Sequence, residues 1–216
     1  MLILFDLDGT LIDSQRGIFA CIAHALNGMG EPVPPESQLR SWIGPPLRVS
    51  FPQVLGDAPE RTEEAVRRYR EHFQQCGWHQ HEVYPGIAET VTALHGDGHT
   101  LAVVTAKTQD EAERIIAHLP FGACFSRVDG THPDSADHGK AEKIALAMQA
   151  LDSTAEDTLM VGDRRYDMEG AVANQVRAVG VSWGFGSTEE LRLAGASQVI
   201  DQAHTLRQLV DMTDVA

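Results

Sequence analysis

The sequence predicts an α/β protein, in which a doubly wound parallel sheet with a Rossmann-like core carries an all-helical domain. Three observations lead to this prediction. Short apolar runs recur along the chain, as in strands that are buried on both faces of a parallel sheet. Amphipathic helical patterns separate the later runs, which is the alternation of a doubly wound fold. One long stretch near the N-terminus does not follow this alternation and is helical in pattern.

The first predicted strand is the apolar run Leu2–Phe5, which ends directly before Asp6 and Asp8. Residues 123–128 are a further candidate strand. Four other runs are similar, namely Leu101–Val104, Thr158–Val161, Ala178–Val181 and Gln198–Ile200. The runs Leu2–Phe5, Leu101–Val104 and Thr158–Val161 each lead into polar residues that could take part in chemistry.

Three helices are predicted between and after these strands. The first begins at a Thr108/Glu111 pair, and the third at a Ser187/Glu190 pair, both with the spacing of a capping box. The first two helices each bury one apolar stripe, formed by Ala112, Ile115, Ile116 and Leu119 and by Ile144, Ala147, Met148 and Leu151.

Residues 14–82 carry two apolar stripes at helical spacing and seven prolines that divide the segment into pieces. We therefore predict that residues 1–13 and 83–216 form the α/β core and that residues 14–82 form a helical cap. This cap leaves the sheet just after its first strand, which favours a lid over the carboxyl edge of the sheet. The alternative is a small domain that only packs against the core.

Composition limits the classes of partner. The formal net charge of −14 disfavours nucleic acid and anionic membranes, because phosphate groups would be repelled over most of the surface. No apolar run is long enough to span a bilayer. The three cysteines are widely spaced and odd in number, and the N-terminus has no basic leader, so we expect reduced thiols and a cytoplasmic location.

Polar residues at the predicted strand ends form a candidate site. In a doubly wound sheet, ligands bind outside the carboxyl ends of the strands. Four carboxylates lie at such positions, those of Asp6, Asp8, Asp163 and Asp167. A single aspartate there is typically a helix cap, but four would repel one another unless a cation lay between them. Oxygen-only ligands suit a hard cation, and Mg²⁺ fits best because it also shares oxygens with phosphate groups.

The chain contains only three lysines, and Lys107 and Lys140 fall at the same predicted edge of the sheet. A lysine ammonium is a compact point charge that suits a phosphoryl group. Chance placement on a solvated surface is the alternative for each of them.

Four motifs occur in order along the chain: the segment Asp6-Leu7-Asp8-Gly9-Thr10, the segment Val103-Val104-Thr105, Lys140, and the segment from Val161 to Asp167. In these motifs the sequence resembles the haloacid dehalogenase superfamily of phosphatases. The helical insertion after the first motif is similar to the cap of the phosphoglycolate phosphatase-like branch. Three further segments resemble this branch, namely Ile43–Leu47, Tyr84–Gly86 and Gly180–Gly186.

The resemblance implies a two-step phosphoryl transfer. Asp6 would be the nucleophile and Asp8 the general acid and base. Thr105, the backbone N–H of Ala106 and Lys140 would bind the phosphoryl oxygens. Magnesium would be held by Asp6, the Asp8 carbonyl, Asp163 and Asp167, the last as a ligand or as the partner of one.

Two departures from the family pattern leave questions open. Ala141 follows Lys140 where proline is frequent, so the neighbouring Lys143 is an alternative for the phosphate-binding lysine. Ala106 replaces a residue that is often polar.

Arg48 and Lys107 are candidate substrate contacts, and for Arg48 a solvated helix position is the alternative.

The predicted function is hydrolysis of a small phosphorylated metabolite, such as phosphoglycolate, by a monomer or homodimer. A phosphosugar mutase and a nucleoside 5′-monophosphate phosphatase remain alternatives. A dehalogenase would not need Asp8, and a phosphonate-cleaving relative would need a cap lysine, which residues 14–82 lack. A phospho-accepting receiver domain is a remote alternative, because receivers are about half this length and have no such insertion.

Overall fold

The computed structural model of the protein describes residues 1–131 and 139–211. By contacts between residues, the chain divides into two units. The core unit comprises residues 1–12 and the described residues from 83 onwards, and the helical unit comprises residues 13–82. Among the described residues, no helix combines the length and the apolar character that a bilayer crossing requires.

The described part of the chain contains eight strands and eleven α-helices. The strands are β1 (Leu2–Phe5), β2 (Ile12–Asp13), β3 (Glu82–Val83), β4 (Thr100–Thr108), β5 (Phe125–Thr131), β6 (Thr158–Gly162), β7 (Arg177–Val181) and β8 (Gln198–Ile200). The helices are α1 (Gln15–Asn27), α2 (Glu36–Leu39), α3 (Leu47–Ser50), α4 (Pro52–Leu55), α5 (Pro59–Gln75), α6 (Ile87–Gly96), α7 (Gln109–His118), α8 (Lys140–Ala150), α9 (Arg165–Ala173), α10 (Thr188–Leu193) and α11 (Thr205–Asp211).

Six parallel strands form the sheet of the core unit, in the order β5-β4-β1-β6-β7-β8. From β1 the chain first builds the sheet towards β5, and it then returns to add β6 on the other side of β1. This reversal places a crevice outside the carboxyl end of β1, which is where doubly wound sheets bind ligands. The predicted α/β class and parallel sheet are confirmed.

The central strand β1 is buried along its whole length, which explains why its sequence is apolar without alternation. Leu4 aligns with Ala102 on β4 and Met160 on β6, and all three belong to one buried cluster with side chains of α8 and α9. Phe5 alternates with Leu4 along the strand, and its ring meets that of Phe125 edge-on at 6.0 Å. Because Ile3 and Phe5 are buried as fully as Leu4, β1 is covered on both faces.

In the helical unit, α1 packs against α5 through the apolar stripes that the sequence shows. Ile18, Ile22 and Leu26 are buried on α1, and Tyr69 and Phe73 are buried on α5. A second packed contact in this unit joins Trp42 and Phe51, whose rings lie 5.8 Å apart.

The strand β4 differs from its prediction. It continues to Thr108 instead of ending at Val104, so Thr105 lies within the strand. Pairing with β5 slips in this region, since three residues lie between Val104 and Thr108 while only one lies between their partners Asp129 and Thr131. This irregularity is a bulge, and sequence periodicity does not show bulges.

The two predicted capping boxes have different outcomes. Ser187 accepts a hydrogen bond from the backbone N–H of Glu190 at 3.0 Å, as expected. Thr108 precedes α7, but its side chain makes no cap hydrogen bond. The capping interaction predicted there is wrong, and Thr108 instead serves as the last residue of β4, paired with Thr131.

Candidate active site

Three sequence-distant segments bring polar side chains to the carboxyl edge of the sheet. Asp6 directly follows β1, with Asp8 two residues further on, and Asp163 directly follows β6. Because β1 and β6 are parallel neighbours in register, the residues that follow them lie side by side. Lys140, the first residue of α8, also reaches this edge, since its ammonium donates a hydrogen bond to the Val104 carbonyl oxygen at 2.8 Å.

Three buried carboxylates form the centre of the site. Asp6, Asp163 and Asp167 each present an oxygen, and these three oxygens lie within 4.8 Å of one another. Asp163 and Asp167 are fully buried, and Asp6 is 7% exposed. Such an all-oxygen cluster could hold a metal ion.

Lys140 lies between two of these carboxylates. Its Nζ is 2.9 Å from Asp6 Oδ1 and 2.7 Å from Asp167 Oδ1. Neither of these two oxygens has a partner in hydrogen-bonding geometry among the described residues, so both interact with Lys140 mainly through charge. Three carboxylates and one ammonium leave a formal charge of −2 when all four groups are ionised, which matches a divalent cation.

Burial is the largest influence on the pKa values of the cluster, and the charges of neighbouring groups modify it. Burial raises the pKa of Asp6, the Lys140 ammonium opposes this rise and the Asp167 carboxylate adds to it, so that the pKa moves from 3.8 to about 6. Burial, together with Asp6 and Asp167, also raises the pKa of Asp163 well above its usual value. Burial disfavours the charged form of Lys140, but the Asp167 and Asp6 carboxylates outweigh it and raise the Lys140 pKa. A cation among the carboxylates would relieve this repulsion.

The orientation of Asp163 is fixed by two donors. Thr10 Oγ1 donates to Asp163 Oδ1 at 3.1 Å, and the backbone N–H of Phe185 donates to Asp163 Oδ2 at 2.8 Å. The loop around Phe185 approaches very closely, since a Cβ atom on Gly184 would lie 2.3 Å from Asp163 Cβ. A Cβ on Gly186 would lie 2.1 Å from the Asp163 carbonyl oxygen.

Comparison with known proteins identifies the family of this site. The profile of the family described as haloacid dehalogenase-like hydrolase matches residues 3–181, which is most of the chain. The chain belongs to this family. The resemblance inferred from the four sequence motifs is thereby confirmed.

Relatives in the family cover nearly the whole chain. A 5′-nucleotidase of Pseudomonas aeruginosa is 39% identical over 209 residues, which is 97% of this chain and 95% of the relative. The tyrosine-protein kinase PtkA of Mycobacterium tuberculosis is 35% identical, over 96% of this chain and 70% of the relative. Phosphoglycolate phosphatase 1 of P. aeruginosa is 30% identical, over 100% of this chain and 80% of the relative.

Solved structures agree with the sequence relatives. The crystal structure of a predicted phosphatase from Clostridium acetobutylicum superimposes with a TM-score of 0.90 at 34% identity, over 98% of both chains. Together with the haloacid dehalogenase-like profile, these relatives make the chain a phosphoric monoester hydrolase of the phosphoglycolate phosphatase-like branch.

The sequence leaves open whether Lys140 or Lys143 is the phosphate-binding lysine of the third motif. In this structure Lys140 lies at the carboxylates, whereas Lys143 Nζ donates to the Thr105 carbonyl oxygen at 2.7 Å and to Thr131 Oγ1 at 2.6 Å. Lys143 is buried and holds the backbone of β4 in place. This geometry favours Lys140 for the phosphate-binding role.

The other candidate contacts lie in different places. Thr105 is buried, and its hydroxyl accepts a hydrogen bond from the backbone N–H of Lys107 at 3.2 Å. Ala106 is exposed, beside Thr105. The Lys107 ammonium lies 3.2 Å from Asp8 Oδ2. Arg48 belongs to the helical unit, where its guanidinium pairs with Glu63 on α5 and is largely exposed.

Phe185 and Glu190 support the site and were not predicted as site residues, whereas Asp167, which was predicted, has a second role as a helix cap. Phe185 acts through its backbone, which no side-chain pattern can reveal. Asp167 caps α9 by accepting a hydrogen bond from the backbone N–H of Arg164 at 3.0 Å, while remaining in the carboxylate cluster. Glu190 accepts hydrogen bonds from the Arg164 side chain and the Arg165 backbone, both at 3.0 Å. For Glu190, its place in the Ser187 capping box was the visible signal.

Proposed function

We propose that the protein hydrolyses a small phosphate monoester through an aspartyl phosphate formed on Asp6. The observation that carries this proposal is the position of Asp6. Its carboxylate lies at the carboxyl end of the central strand, beside the Lys140 ammonium, with Asp8 two residues further on. Carboxylates serve as covalent nucleophiles in phosphoryl transfer, and a neighbouring ammonium is the charge that an incoming phosphoryl group requires.

In the first step, an Asp6 carboxylate oxygen attacks phosphorus while the bond from phosphorus to the ester oxygen breaks. Asp8, in its protonated form, gives its proton to that leaving oxygen. In the second step, Asp8 takes a proton from water, the water oxygen attacks phosphorus, and the bond to Asp6 breaks. Inorganic phosphate leaves, and both aspartates return to their starting forms.

The phosphoryl oxygens would be bound by Lys140, by the Thr105 hydroxyl and by the backbone N–H of Ala106. These groups lie at or beside the carboxyl end of β4, where the Val104 carbonyl already holds the Lys140 ammonium. Transition-state charge is spread over the phosphoryl oxygens, so a fixed cation and fixed donors stabilise it more than the ground state.

The residues of the site fit Mg²⁺. Asp6, Asp163 and Asp167 are buried, all-oxygen ligands with a residual charge of −2 after Lys140 is counted, and the Asp8 carbonyl is a further oxygen of this segment. Such donors are those that hard divalent cations prefer. When bound, the metal would neutralise negative charge between the nucleophile and the phosphate ester.

The substrate class is proposed from the relatives. The 5′-nucleotidase relative supports a nucleoside 5′-monophosphate, and the phosphoglycolate phosphatase relative supports phosphoglycolate. We also propose that residues 14–82 act as the cap of the family and select the leaving group. A panel containing adenosine 5′-monophosphate, phosphoglycolate and sugar phosphates separates these substrates. Exchange of phosphate between sugar positions without net release would indicate a mutase instead.

Asp6→Asn is the test of the nucleophile. We expect loss of turnover, since the amide cannot form the acyl phosphate, while circular dichroism shows an unchanged fold. Phosphate release from p-nitrophenyl phosphate by wild type should stop in EDTA and return with Mg²⁺. Wild-type-like rates in Asp6→Asn would refute the assignment of Asp6, and stable stoichiometric labelling without turnover in wild type would indicate a receiver domain.

A further inference from the structure

All three lysines of the chain converge on the carboxyl end of β4. Lys140 donates to the Val104 carbonyl oxygen, and Lys143 donates to the Thr105 carbonyl oxygen. The third, Lys107, belongs to β4 itself, and its ammonium pairs with Asp8 across the gap to the loop after β1. The chain has 31 acidic residues and only three lysines, so the position of all three ammonium groups at one end of β4 is unusual.

The pair formed by Lys107 and Asp8 is well shielded from solvent. The side chain of Lys107 is 6% exposed, and that of Asp8 is 13% exposed. Screening by water and salt is weak for such a pair, so its attraction exceeds that of surface ion pairs. This burial distinguishes Lys107 from a cation on a solvated helix start.

The bulge in β4 places Lys107 for this contact. Pairing with β5 slips between Val104 and Thr108, which frees the intervening residues from the regular ladder. Thr131 Oγ1 then donates to the Ala106 carbonyl oxygen at 3.0 Å, and the Lys107 backbone N–H donates to Thr105 Oγ1 at 3.2 Å. These bonds, with that from Lys143, fix the backbone from which the Lys107 side chain extends.

The two carboxylate oxygens of Asp8 have different surroundings. Oδ2 faces the Lys107 ammonium at 3.2 Å. Oδ1 is buried, and no donor within residues 1–131 and 139–211 hydrogen-bonds to it. A carboxyl group that exchanges a proton with substrate needs one oxygen available and the group held in a fixed orientation.

We propose that Lys107 is the positioning residue for Asp8: by holding Oδ2 it directs Oδ1 towards the oxygen that receives the proton. This inference rests on the proposed function, in which Asp8 is the general acid. In this role, Lys107 orients Asp8, the general acid and base, and does not contact the substrate directly.

A comparison of leaving groups tests this role. An alkoxide leaves poorly without a proton, whereas p-nitrophenolate is a stable anion and needs little help from an acid. Loss of a general acid therefore lowers kcat/KM for an alkyl ester far more than for p-nitrophenyl phosphate. A loss of phosphate binding or a general loss of structure lowers kcat/KM for both esters together.

The variants are Lys107→Met, which removes the ammonium and keeps the chain length, and Lys107→Arg, which keeps the charge. Arg207→Met is the matched control, because Arg207 forms an exposed pair with Asp97, before the amino end of β4. Substrates are p-nitrophenyl phosphate and the better of phosphoglycolate and adenosine 5′-monophosphate. General acids contribute about 10² to 10⁴-fold, so Lys107→Met should lower kcat/KM about tenfold or more for the alkyl ester and about threefold or less for p-nitrophenyl phosphate.

Lys107→Arg should recover most of the loss with the alkyl ester, and Arg207→Met should leave both substrates unchanged. Equal losses with the two substrates in folded Lys107→Met, or no loss with either, would overturn the role of Lys107 while leaving the phosphatase assignment intact. Failure of wild type on all three esters would instead overturn the proposed function. If Lys107→Met does not fold, Lys107→Gln is measured in the same way and decides.

Discussion

The buried carboxyl group of Asp6 makes the stability of the protein depend on pH. Burial raises its pKa from 3.8 to about 6, so the folded protein holds this proton more tightly than the unfolded chain. The resulting stabilisation is fully present below about pH 3.8 and is lost as the pH rises through about 6. The difference between the two pKa values corresponds to about 3 kcal/mol.

The perturbation that exposes this effect is Asp6→Asn, because the amide has nearly the same shape and no charge at any pH. In EDTA at pH 8, we expect the variant to be more stable than wild type by up to about 3 kcal/mol. Near pH 4, where the Asp6 carboxyl in the folded protein is protonated, the difference should shrink towards zero. The Lys140 ammonium keeps its second partner, Asp167, in the variant.

The assay is urea unfolding followed by far-ultraviolet circular dichroism from pH 4 to pH 8, with and without Mg²⁺. Addition of Mg²⁺ at about 100 times its dissociation constant should stabilise wild type by about 2.7 kcal/mol. The variant should gain less, since it offers one anionic ligand fewer. A stability difference that is the same at pH 4 and pH 8, or a variant less stable than wild type at pH 8 in EDTA, would refute the reasoning.

Two further predictions concern packing. Gly186→Ala would place a Cβ 2.1 Å from the Asp163 carbonyl oxygen, so the loop must move, and we expect Mg²⁺ affinity by calorimetry to fall about tenfold. Gly96→Ala, where no atom lies within 4 Å of the new Cβ, should leave that affinity unchanged, and an equal fall in both variants would contradict the packing argument. Leu4→Ala removes a fully buried side chain from β1 and should lower the free energy of unfolding in urea by about 2 to 5 kcal/mol. A loss below about 1 kcal/mol would show that the sheet centre is not packed as described.

Most strands of the core could be predicted from the sequence because they are short apolar runs, of which β1 and β6 are buried along their whole length. Leu2–Phe5 and Gln198–Ile200 agree with β1 and β8 to the residue. The extension of β4 to Thr108 could not be predicted in this way. It depends on pairing with β5 and on bonds from Thr131 and Lys143, which are contacts between segments far apart in sequence.

Part of the candidate site was also visible in the sequence. Asp6 and Asp163 are recognisable because a carboxylate that directly follows an apolar strand must lie at the sheet edge, and Asp167 follows Asp163 by four residues. The support of Asp163 by the Phe185 backbone could not be recognised, because a backbone N–H has no sequence signature. The choice between Lys140 and Lys143 likewise depended on which ammonium the helix α8 directs at the carboxylates.

By itself, the sequence determined the α/β class and the family, and it predicted the helical insertion and the aspartates of the candidate site. These are local properties, since apolar runs, helical spacing and short motifs involve residues that are near one another in the chain. Only the tertiary structure decided that Lys107 pairs with Asp8, that Lys140 bridges two aspartates, and that β4 contains a bulge. Distances of about 3 Å between side chains from separate strands depend on strand order and register, which the packing of the whole sheet sets.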